Sequence, residues 1–246
     1  MIGRLTTLIA YNVACIVRSR REFILVPLIS TIASMLVVPY GLRLFTGSVR
    51  VGEVVATGLL VSTIFLPSTI SGLYTVIELS VGSLDRYLIL PVPRYYIVLS
   101  RLFASSVISL VQVSTALALA LLQGINVSVV GAVVTYTLAF ILSLGVTGIV
   151  LLLCVGSLDP RKVSLIASIT NVVLLNLSPL YFPLSALPPW LRILMLLNPA
   201  TPTVECIRQS LTSNALSSQY LLLAVILNMV WLTIGTRALV RRLEKL

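Results

Sequence analysis

Six apolar runs, at residues 23–45, 54–77, 96–122, 127–155, 163–184 and 220–240, take up most of this 246-residue chain. Each is long enough to cross a bilayer, because a helix rises about 1.5 Å per residue and the hydrocarbon core is about 30 Å thick. Inside that core every backbone N–H and C=O must find a partner within the protein, so such runs fold as helices or as closed barrels. These runs are too long for membrane strands and lack the two-residue alternation of a barrel wall. Composition agrees: the mean hydropathy is +1.10 and 10% of residues are charged, against about 25% in soluble domains. The connections are too short for a soluble domain. The expected fold is therefore all-α, a single membrane domain over residues 1–246 with six transmembrane helices.

Basic residues orient the spans. With the N-terminus on the cytoplasmic side, only Arg43, Arg50, Arg192 and Arg208 fall outside, and every other Arg and Lys falls inside. Positive residues favour the cytoplasmic loops, so both termini and residues 78–94 are expected in the cytoplasm of a multi-pass cell-membrane protein. The net charge of +10 is then a topology signal. It is scattered over membrane-edge loops and does not form the basic, groove-reading surface that nucleic-acid binding requires, so no nucleic-acid partner is expected. Ahead of the first run, Leu5, Leu8, Ile9, Val13, Ile16 and Val17 share one helical face, opposite Arg4, Thr7, Tyr11, Arg18 and Arg21. That pattern predicts an amphipathic helix lying on the inner leaflet in contact with lipid. Its charges follow the apolar stretch, the reverse of a cleavable signal, so the segment is expected to be retained.

Residue types that carry covalent or ion-coupled chemistry are sparse. The chain has no histidine, and its seven acidic residues are dispersed. That disfavours a serine nucleophile with a histidine base, and a clustered metal site; no metal or catalytic residue is assigned. Cys15, Cys154 and Cys206 lie far apart and read as small packing residues. The spans hold no Asp, Glu or Lys near the midplane, where ion-coupled carriers keep their coupling groups. Their polar content is hydroxyl and amide. Interhelical hydrogen bonding accounts for most of it, while Ser62 and Thr63 in the second span and Ser168, Thr170, Asn171 and Asn176 in the fifth are candidates for a substrate-facing surface. Pro27, Pro39 and Pro67 predict kinks in the first two spans. The sequence also lacks a Gly-rich phosphate loop ending in Lys and Ser or Thr, so any uphill work must draw its energy from a partner.

Two polar stretches interrupt the apolar pattern. Residues 78–94 read ELSVGSLDRYLILPVPR, a composition suited to a short surface helix that touches a soluble partner. Between the fifth and sixth runs, the eight apolar residues 190–197 are bracketed by Pro188, Pro189 and Pro199. That stretch is too short to cross and predicts a re-entrant or interfacial element. Trp190 is placed to sit at headgroup level, and a further helix is expected from Thr203, with Glu205 in its first turn. Glu205 and Arg208, three residues apart, read either as a local ion pair or as an external gate.

The pattern Glu78, Gly82, Ser83, Leu84, Asp85, Arg86 and Pro91, followed by a membrane helix near Arg101, resembles the cytoplasmic loop of ABC type-2 exporter permeases. Leu187, Pro188, Trp190, Leu191, Asn198, Pro199, Thr201, Glu205 and Arg208 resemble that family's external stretch before its last span. With the six spans and the N-terminal helix, the resemblance covers almost the whole chain. It implies a permease that pairs with a second copy or with a homologous chain. It also implies two copies of a separate ATPase subunit, which would hold the ATP and Mg, docked on a coupling helix formed by residues 78–91. Substrate would pass between the permease halves along the second and fifth spans, and a conduit without fixed charge suits amphiphiles such as lipids, lipid-linked glycans or drug-like molecules. Ser80 stands where family members often carry a second acidic residue, which leaves Glu78 and Asp85 to supply the docking charge. The rival reading is a six-span scaffold that recruits a cytoplasmic partner without transport. A channel or ion-coupled carrier comes third.

Overall fold

The computed structural model describes residues 10–14, 22–47, 49–81, 93–125, 127–157, 159–212 and 217–244, and no strand occurs among them. Residues 10–14 are helical. The long helices are α1 (Glu22–Thr46), α2 (Val49–Ser62), α3 (Phe65–Ser80), α4 (Arg94–Leu122) and α5 (Val129–Cys154). They are followed by α6 (Pro160–Asn176), a short 3-10 turn at Leu184–Ala186, α7 (Pro189–Leu196), α8 (Ala200–Thr212) and α9 (Ser218–Leu243).

Among the described residues, five segments are long and apolar enough to cross a membrane: Leu25–Thr46, Val51–Ser80, Tyr95–Leu122, Val129–Cys154 and Ser218–Leu243. The expected run at 163–184 differs. Its helix, α6, has 17 residues and ends at Asn176, because Ser178 precedes Pro179 and a residue before proline is pushed out of the helical region. The second expected span also differs. It is two helices, α2 and α3, which meet at Thr63 and Ile64. Pro67 explains the position of the break, since it has no N–H to give the carbonyl of Thr63 four residues back and its ring crowds that carbonyl.

Helix α5 is the hub of the bundle, packing against α3, α4, α6, α8 and α9. It is apolar around nearly its whole circumference, and from Leu142 to Leu151 every residue is buried. Its closest neighbour is α9. A Cβ on Gly148 would lie 2.6 Å from the carbonyl oxygen of Trp231, and one on Gly235 would overlap the backbone of Gly148. Without a hydrophobic drive between helices in lipid, this close backbone approach supplies the dispersion contact that holds the pair. Hydroxyls bind the other interfaces of α5. Ser143 of α5 donates to Ser106 of α4 at 2.5 Å, and Thr147 donates to the Ser68 carbonyl of α3 at 3.2 Å. Ser68 and Ser109 hydroxyls lie 3.3 Å apart. The interhelical role expected of the membrane hydroxyls is thus seen at Ser68, and shared by serines of α4 and α5.

Of the expected N-terminal amphipathic helix, residues 10–14 are described, and the rest of its pattern lies outside the described residues. Asn12 is buried and its amide donates to Ser100 of α4 at 2.9 Å. Tyr11 is exposed.

Candidate functional site

Of the loop residues singled out by sequence, Glu78 is described and Gly82, Ser83, Leu84, Asp85, Arg86 and Pro91 lie outside the described residues. Glu78 stands in the last turn of α3. Its carboxylate forms an ion pair with Arg101, two turns into α4, and both side chains are mostly enclosed. The two helices that flank residues 82–92 are therefore joined by a charged cross-link just above the point where the chain leaves α3. Sequence spacing gives no warning of this pair, because its partners lie 23 residues apart in the chain.

The substrate-path candidates divide. Thr69 of α3 donates to the side-chain oxygen of Asn171 in α6 at 3.3 Å, so the second-span and fifth-span polar residues do meet at one point. Thr170 is buried and donates to the Ile166 carbonyl at 2.7 Å, as a helix-internal bond. Asn176 is exposed and its amide binds Val172 O at 2.8 Å. Ser168 is exposed on the same helix, beside exposed Leu165, Ile169, Val172 and Val173. Ser62 and Thr63 are elsewhere. They lie at the α2–α3 break and face a small, partly open cleft of about 40 Å³, lined by Pro27, Ser30, Thr31, Ser34, Ser62, Thr63 and Leu66. The α1 residues of this cleft recur at the i, i+3, i+4, i+7 spacing that places them on one helical face. That spacing was readable in the sequence, but which helix it would face was not.

The stretch after α6 is more enclosed than its sequence indicates. Helix α8 starts at Ala200, three residues before the expected Thr203, because Asn198 caps it: Ala200 N–H donates to the Asn198 side-chain oxygen at 3.0 Å. Pro202 then falls in the first helical turn, where its missing N–H costs nothing. The Asn198 amide donates to Leu174 O at 2.8 Å and Ser178 Oγ at 3.0 Å, tying the cap to the end of α6. Pro199 is buried, and its carbonyl accepts from Thr203 at 3.0 Å. Trp190 is 68% exposed at the start of α7. Arg208 and Glu205 pair at 2.9 Å with both residues buried. The Arg208 guanidinium also donates to Pro179 O at 2.8 Å and Phe182 O at 3.4 Å, while Glu205 accepts from Leu184 N–H at 2.7 Å. Burial pushes the Arg208 guanidinium below its ordinary pKa, and the facing Glu205 opposes that shift. The pair is thus a fastener that holds the irregular 177–187 stretch against α8. The stretch also seats on α2, where a Cβ on Gly58 would overlap the Leu180 backbone.

A family model described as "ABC-2 type transporter" matches residues 4–212. A protein of Cyanophora paradoxa named "Putative transport permease ycf38" is 36% identical over 155 residues, which cover 61% of this chain and 53% of that protein. A Porphyra purpurea protein of the same name is 30% identical over 174 residues, covering 68% of this chain and 58% of the relative. The chain spans little more than half the length of these curated relatives.

Proposed function

The chain belongs to the ABC-2 type transporter family, and we propose that it is the membrane permease subunit of an ATP-driven exporter that moves an amphiphilic substrate out of the cytoplasm. It is a multi-pass membrane protein with, among the described residues, five segments of spanning length and composition. In the proposed arrangement α6 makes a sixth crossing, with the re-entrant pair α7 and α8 on the outer side and both termini in the cytoplasm of the cell membrane. ABC-2 permeases generally work with ABC ATPase subunits. Here such a partner would hold ATP and Mg and grip residues 78–91, and the permease would pair with itself or with a homologous chain.

The observation that carries this reading is the family match across residues 4–212, and the geometry around the proposed coupling segment fits it mechanically. Residues 82–92 connect α3 to α4, and the Glu78–Arg101 pair makes the adjoining ends of those helices move together. At its other end α3 begins at the ladder break of Thr63 and Ile64. A pull on the coupling segment therefore meets a stiff lever and a ready hinge. Closure of the ATPases would swing α3 about that hinge and alter the surfaces beside α1 and α6. Such coupling exists only when the partner grips the segment differently in its two nucleotide states.

The test is reconstitution with the ATPase that copurifies with the chain. Gly82→Leu and Asp85→Arg are expected to leave ATP hydrolysis by the partner running while transport into vesicles stops. Full coupled transport by both variants would overturn the assignment, and copurification of a different soluble protein without an ATPase would favour a scaffold.

A further inference from the structure

The cleft between α1 and the α2–α3 break has a hydrogen-bonding character that follows from where its protons go. Ser62 donates to Leu59 O and Thr63 to Leu60 O, both at 2.7 Å. Ser34 donates to Thr31 O at 3.2 Å, and Thr31 to the side-chain oxygen of Gln112 at 3.2 Å. A hydroxyl has one hydrogen and two lone pairs. With the hydrogens of these four committed to the protein, what they present to the cleft is lone pairs.

From this we infer that the cleft is a binding subsite for the uncharged, hydroxyl-bearing head group of an amphiphile, one that donates hydrogen bonds to Ser34, Ser62 and Thr63. The absence of charge separates a hydroxylated head from a cationic one, which would also seek lone pairs. None of the lining residues is charged, and a cation moved into this environment without a counter-charge loses far more hydration than neutral acceptors return. The cleft volume of about 40 Å³ is far below the roughly 300–1,000 Å³ of pockets that enclose whole small molecules. It takes one or two hydroxyls of a head group and leaves the rest of the amphiphile outside, where exposed Val26, Ile29 and Val37 of α1 offer an apolar lip.

This inference rests on the permease reading for its purpose, but its test does not need transport or the ATPase. The full chain is placed in phosphatidylcholine nanodiscs and irradiated with an alkyl glucoside that carries a photoreactive diazirine next to the sugar. Labelled peptides are then mapped by mass spectrometry. Label is expected at residues 27–34 and 62–66. It should be displaced by plain alkyl glucoside and not by alkyl trimethylammonium or alkyl sulfate of equal chain length. The triple variant Ser34→Ala, Ser62→Ala, Thr63→Val should reduce labelling about five-fold or more, the value of losing at least one neutral hydrogen bond. Ser34→Leu, which fills the cleft from an exposed helix, should abolish it while leaving the melting temperature unchanged. Label elsewhere, equal displacement by the ammonium amphiphile, or full labelling of Ser34→Leu overturns the inference. Loss of coupled transport with labelling intact would instead count against the exporter reading alone.

Discussion

The two ion pairs Glu78–Arg101 and Glu205–Arg208 stand at opposite ends of the bundle and are built for different work. The first lies where α3 ends and α4 begins. The second lies on α8, whose last turns meet the opposite end of α5, with Ser210 O 2.9 Å from the Cβ position of Gly131. Glu205 and Arg208 share one helix, are 9% and 7% exposed, and spend their remaining capacity on the backbone of Pro179, Phe182 and Leu184. Glu78 and Arg101 belong to different helices and retain 24% and 14% exposure. Enclosure decides what each can do. A charge sealed among backbone carbonyls has no alternative partner when the pair opens, so the pair holds a fixed shape. A charge with access to water loses little when its pair opens, so such a pair adds little to stability and serves instead to tie the ends of α3 and α4 together.

The sharpest way to break this contrast is to strand one charge of the enclosed pair. Arg208→Met leaves the Glu205 carboxylate buried without its counter-ion and leaves two carbonyls unserved. It should destabilise the protein by about 3–5 kcal/mol, as for other buried pairs opened on one side. Thermal unfolding in detergent is the measurement. The double variant Glu205→Gln, Arg208→Gln should melt higher than Arg208→Met, since an amide oxygen still accepts from Leu184 N–H and no charge is stranded. A wild-type melting curve for Arg208→Met would show that the pair is not a fastener. If the double variant folds and exports at the normal rate, the gating role weighed for this pair in the sequence falls with it.

What could be read from the sequence follows the distance over which each feature is decided. The all-helical character and the five spanning segments among the described residues follow from runs of apolar residues, a local property. Pro67 was readable as a bend, but its effect went further and split the second run into α2 and α3. Ser178–Pro179 was equally local and would have shortened α6 had the residue-before-proline rule been weighed against hydropathy, which stays high to Leu184. Glu205 and Arg208 were paired by their spacing. Their bonds to Pro179, Phe182 and Leu184, 21–29 residues back in the chain, depend on how α6, the irregular stretch and α8 fold together. The cleft is the extreme case. Ser62 and Thr63 were picked out, but Ser30, Thr31 and Ser34 acquire meaning only once α1 packs beside the break.

Opening the more exposed pair should weigh on motion and little on stability. Arg101→Gln is expected to lower stability by about 1 kcal/mol or less, the range of a partly solvated ion pair. ATP-driven transport should fall further, by about ten-fold, which corresponds to about 1.4 kcal/mol of lost coupling. The swap Glu78→Arg, Arg101→Glu should recover a good part of the transport. Transport that tracks stability alone across these two variants would remove the distinction between lever and fastener.

The smallest expected effect is the response to salt, and it tests the physical cause directly. Raising ionic strength from 0.1 to 1 M shortens the screening length from about 10 Å to about 3 Å. Screening needs mobile ions near the charges, so it acts on a pair that water can reach and hardly on one that it cannot. The stability gap between wild type and Arg101→Gln should therefore shrink by a few tenths of a kcal/mol on adding salt. The gap between wild type and Arg208→Met should stay constant, because Glu205 and Arg208 are enclosed by α8 and the 177–187 stretch. Equal salt responses in the two series would mean that water reaches both pairs alike. The difference in exposure would then not explain a difference in role.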